Sequence, residues 1–162
     1  LPIYDQKVKH EDKEVLVPWL IIHDIDQDNL GFDDETNKQI YEELKFQMTE
    51  YNEIKISDFV NHELDLIRSL VVDFLSEPYE LHNWKQKEIF VNDEKVKLNK
   101  AVTSSLFSFK ARKVELMILE LQKQLSEKDL PEKQLIDLLR KKTKLDEIRK
   151  QIGAQLGRVI MH

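Results

Sequence analysis

The chain has 162 residues, 41% of them hydrophobic, and a net charge of −6, enough for one compact domain or a small domain with an appendage. It has no cysteine, which excludes disulfides, thiolate nucleophiles and cysteine-based zinc or iron–sulfur sites and fits the cytoplasm. No stretch reaches the roughly 20 apolar residues of a membrane span, and three Gly and four Pro leave few turns among many helix formers, so the expected class is all-α.

Charge divides the chain. Residues 1–100 hold 12 Lys and Arg against 23 Asp and Glu, whereas residues 101–162 hold 13 against 8. Two regions with different electrostatic company are expected, an acidic one over 1–100 and a basic one over 101–162. The first residue is Leu1, as expected for a piece of a longer protein or a processed form.

In chain order, LPIYDQKVKHEDKE shows no amphipathic pattern, and VLVPWLIIHDI suggests a helix beginning near Pro18. The segment DDETNKQIYEELKFQMTEY places Ile40, Leu44 and Met48 at four-residue spacing with Tyr41 beside them, which predicts a helix over 34–51. ELDLIRSLVVDFLSE sets Leu64, Ile67, Val71 and Leu75 on one stripe, flanked by Leu70 and Phe74. That predicts a second helix over 62–76 with the stripe in the core. PYELHNWKQKEIFVNDEK reads as a connection with one short helical turn around Trp84.

From Lys97 to Ser126 no Pro or Gly interrupts the chain, allowing a helix of roughly 30 residues and about 45 Å. Leu116, Met117, Ile118 and Leu119 are consecutive, so that turn is expected to be covered on more than one side. EKDLPEKQ then offers Asp129 as N-cap, Pro131 in the first turn and Glu132 for a capping box. A last helix is expected over 130–160. Its Leu138, Leu145, Ile152 and Val159 recur every seven residues, with Ile148 and Leu156 on the same face. Between Leu135 and Leu139 the apolar residues spread over about 160°, wider than one partner helix covers, so part of that arc is expected to be either buried by the bundle or offered to another protein.

Candidate chemistry is thin. DIDQDNLGFDDE sets Asp24, Asp26, Asp28 and Glu35 at positions of a calcium loop, but Asn29 stands where a turn glycine belongs and Gly31 where an apolar residue belongs. The plainer reading is an acidic connection. His10, His23, His62, His82 and His162 show no paired ligand spacing, and Ser104 and Ser105 lack a nucleophile context. Gly153 and Gly157 suggest close backbone approach or local strain. The run from Arg140 to Lys144 has interleaved acids and no aromatic in its helix, so no direct nucleic-acid binding and no membrane contact are expected.

FVNHELDLIRSLVVDFLSEPYELHNW, the following AVTSSLFSFKARKVELMILELQKQL and the ending KLDEIRKQIGAQLGRVI resemble, in that order, the C-terminal helicase-binding domain of bacterial DnaG-type primase. The resemblance implies a helical bundle over 1–100 that modulates the helicase, then a long connecting helix and a C-terminal antiparallel helical hairpin over 101–162. It implies docking of the last helix, through Leu135, Leu138, Ile148, Ile152, Leu156, Val159 and Ile160, onto the N-terminal domains of the hexameric replicative helicase, DnaB-type. Ile152 is the expected internal contact, and Val159 and Ile160 the expected helicase contacts. The piece itself is expected to be non-catalytic and free of cofactors. A zinc module and a magnesium-dependent primer-synthesising core, a nucleotidyltransferase, are implied upstream. The family's first bundle helix is expected to be missing or reduced before residue 15. The alternatives are a calcium-binding helical regulator and a self-associating coiled-coil scaffold.

Overall fold

The computed structural model describes residues 5–76, 91–127 and 130–161, with side chains at 91–95 and 158–161 outside that description. The described chain is mostly helical with one two-stranded sheet, and it divides into two compact units, Leu1–Lys97 and Leu98–His162.

The first unit begins with strands β1, Lys7–His10, and β2, Lys13–Leu16, paired antiparallel with Val8 opposite Val15. Both residues of the connecting turn, Glu11 and Asp12, have positive φ, 45° and 66°. This is the backbone twist that two-residue hairpins favour. The described chain is broadly all-α, as expected; the small sheet is an addition to that class and corrects the reading of these residues as patternless. Val8 is buried on the inner face, and strands this short give too few alternations to register as a pattern.

Helix α1, Val17–Gln27, follows directly and has Pro18 in its first turn, where a missing N–H costs nothing. The Val17 amide donates to the Gln6 carbonyl at 3.0 Å, tying helix to hairpin. Asn29, at φ 51°, ends the helix, and the Leu30 amide donates back to the Ile25 carbonyl at 3.0 Å, a left-handed closure that asparagine tolerates. Helix α2, Glu35–Tyr51, is capped by Asp34, whose carboxylate accepts from the Asn37 amide at 2.9 Å. Asn52 ends it at φ 50°. A short helix α3, Ile56–Val60, then leads into α4, Asp65–Ser76.

Met48, Ile54, Phe59 and Ile67 form the core of this unit, with Leu16, Ile22, Ile40 and Leu44 packed against it. Gln47 is the one buried polar residue among the described positions, and all its needs are met locally. Its Nε2 donates to Glu43 Oε1 at 2.8 Å and Asp58 Oδ2 at 3.3 Å, while its Oε1 accepts from the Lys55 amide at 2.7 Å. The stripe expected in the core along α4 is only partly there. Ile67 is buried, but Leu64, Phe74 and Leu75 are exposed. Phe74 and Leu75 line an open apolar cavity of about 380 Å³ shared with Val17, Ile40, Leu44 and Val71.

The second unit is built on α5, Val91–Leu125, from Leu98 onward, and on α6, Glu132–Met161. Helix α5 begins before the expected Lys97, and the turn expected around Trp84 lies outside the described residues, as does Asp129. Val114 and Ile118 of α5 pack with Ile152 of α6, and Phe107, Ala111, Leu145 and Leu156 close around them. Ile118 alone of the four-residue apolar turn is covered. Leu116, Met117 and Leu119 are exposed, correcting the expectation of cover on several sides. One helix packed on α5 shields one face and leaves the other open. Gly153 and Gly157 have no atom within 4 Å of where a Cβ would stand, so neither marks a close approach.

Candidate functional site

Helix α6 carries the residues the sequence singled out, and the structure sorts them. At about 100° per residue, Leu138, Leu145, Ile152 and Leu156 fall on one narrow stripe. Leu138 and Ile152 are buried, and Leu145 and Leu156 partly so. Ile148 sits on one flank of that stripe and is 41% exposed, so it does not share the packed face. Leu135 borders the other flank at 36% exposure. The side chains of Val159 and Ile160 lie outside the described residues.

Two exposed residues of α6 were not among those singled out. Ile136 and Leu139 are 42% and 48% exposed and turn away from the buried stripe together with Leu135. The 160° arc between Leu135 and Leu139 carried this signal, because a single packed neighbour cannot cover such an arc.

The charges of α6 are also unevenly committed. Asp146 receives Lys142 at 2.8 Å and Arg149 at 2.9 Å, and the hydrogen bond from Lys142 holds its carboxyl below the usual range. Lys133, Arg140 and Lys144 are exposed and make no ion pair among the described residues.

The acidic segment at the end of α1 is organised as a joint between helices. Asp24 and Asp26 lie inside α1, and Asp26 accepts from the Tyr41 hydroxyl at 3.0 Å and pairs with Lys45 at 2.8 Å. The Lys45 hydrogen bond lowers the Asp26 carboxyl's pKa, and burial first, then Asp26, raises that of Tyr41. A calcium loop would need these carboxylates on an open turn, whereas here the helix continues through Gln27 and Asp26 is held by α2. Among the described residues, no group of three or more His, Asp and Glu could hold a metal ion.

His10 and His23, far apart in sequence, meet with ring centroids 6.1 Å apart, and Trp19 stacks on His23 at 4.7 Å. This is an aromatic cluster fastening the hairpin to α1. Ser104 and Ser105 lie within α5 with no imidazole partner among the described residues. No described helix is long and apolar enough to cross a membrane.

Residues 3–159 match the family described as a domain of unknown function, DUF8430. The chain belongs to that family. No curated protein and no solved structure matches it. The family match spans residues of both compact units.

Proposed function

We propose that this chain is a protein-docking piece of a bacterial DNA primase, recruiting it to the replicative helicase during DNA replication, with α5 and α6 forming an antiparallel helical hairpin that meets the helicase. The acidic unit serves as the bundle that modulates the helicase. The partner in this reading is the DnaB-type hexamer, through its N-terminal domains, in the cytoplasm. The observation that carries it is the apolar surface of α6 left over after its own packing, at Leu135, Ile136, Leu139 and Ile148. Large exposed apolar residues cluster where another protein is to cover them. The order of segments resembling the primase helicase-binding domain supplies the identity of the partner.

The test removes residues 129–162 and passes the shortened chain and the cognate helicase together over a sizing column. The intact chain is expected to co-elute with the hexamer, and the shortened one to elute alone while keeping the circular dichroism of a folded acidic unit. Co-elution of the shortened chain would move the docking surface out of the last helix.

A further inference from the structure

The first two turns of α6 present an exposed apolar face that its own unit does not use. Leu135, Ile136 and Leu139 are all at least a third exposed, and Ile136 stands about 160° around the helix from the buried Ile152. Next to Ile136, within about one residue's rotation on the outer side, run Lys133, Arg140 and Lys144. They lie three before, four after and eight after it, so they form one ridge along the helix surface. None of the three has an ion pair among the described residues, although Lys142 and Arg149 on the same helix are both satisfied by Asp146.

Asp137 and Glu147 stand in the same arc, but residues 132–144 hold five Lys and Arg against two Asp and Glu, so the apolar strip has a border with an excess of positive charge. A basic partner would meet net repulsion along that border, and a purely apolar one would leave its excess positive charge without compensation. We infer that the start of α6 docks onto an acidic surface of the partner, an apolar hollow that receives Ile136 and Leu139 beside carboxylates that face Lys133, Arg140 and Lys144. This rests on the docking function proposed above and gives its partner a chemical character. It also places the contact at the beginning of α6, whereas the sequence pointed to Val159 and Ile160 at its end.

The experiment titrates the intact chain against the cognate helicase hexamer at low and moderate salt, alongside Ile136→Asp and the triple variant Lys133→Glu, Arg140→Glu, Lys144→Glu. Each variant is expected to bind at least about tenfold more weakly at low salt and to melt like the parent, since all four positions are exposed. The triple variant is also expected to lose the salt dependence of the parent. Parent binding that both variants retain overturns this inference and leaves helicase docking standing. A parent chain that does not bind the helicase overturns both. Parent sedimentation as a dimer that Ile136→Asp dissolves makes a second copy the occupant, which overturns the assignment to an acidic partner.

Discussion

Ile136 and Ile152 sit on the same helix about 160° apart in azimuth, one 42% exposed and the other 8% exposed against Val114 and Ile118. The same residue type therefore does opposite work at the two positions. Ile152→Ala is expected to cost about 2–5 kcal/mol, the range for opening a cavity in a packed core. Ile136→Ala should stay within about 0.5 kcal/mol. Chemical denaturation of both variants checks this, and equal losses would place Ile136 in the core.

The joint between α1 and α2 sets a pH dependence. Asp26 has its folded pKa lowered, chiefly by the hydrogen bond from Lys45. Its contribution to stability is therefore present above the unfolded value of about 4 and fades as pH falls through the lower folded value. Both partners are 39% exposed, so solvent screening keeps the pair to about 0.5 kcal/mol. Asp26→Asn is expected to be slightly less stable than the parent at pH 7, and the gap should close below about pH 4. Melting temperatures across that range report it, and a gap that widens with acid would be the opposite of what this pairing produces.

Gln47 is 1% exposed and holds the Lys55 amide at 2.7 Å. Gln47→Leu leaves that amide without its acceptor in a part-buried setting, a loss of about 1 kcal/mol. Urea unfolding measures it, and an unchanged midpoint would mean that solvent reaches the amide.

The two glycines of α6 are open on the side where a methyl group would go. Gly153→Ala and Gly157→Ala should each raise stability by about 0.5–1 kcal/mol, by lowering the freedom of the unfolded chain and improving helix propensity. Thermal melts of the single and double variants test this. A fall in stability would indicate a close approach at these positions.

Much of the helical content was legible because periodicity is a local property. Ile40, Leu44 and Met48 marked α2, and the seven-residue stripe through Leu138, Leu145 and Ile152 marked α6, each to within two residues of the observed ends. The β-hairpin was not legible, since four-residue strands around Glu11 and Asp12 carry neither a sustained alternation nor a turn glycine. Nor did the stripe along α4 reveal that Phe74 and Leu75 would remain uncovered. Periodicity shows which side of a helix is apolar, but what covers it depends on tertiary packing. In α6 the unusual width of the apolar arc pointed to Leu135–Leu139. The separation of Ile136 and Leu139 from the packed stripe required the position of α5.

The most direct measurement of the central claim is sedimentation velocity of the intact chain mixed with its cognate helicase hexamer at micromolar concentrations. The account predicts a boundary that moves faster than the hexamer alone and carries the chain with it, slowed back towards the free species by Ile136→Asp. A chain that sediments by itself at every mixing ratio, while circular dichroism shows it folded, would contradict the assignment to helicase docking.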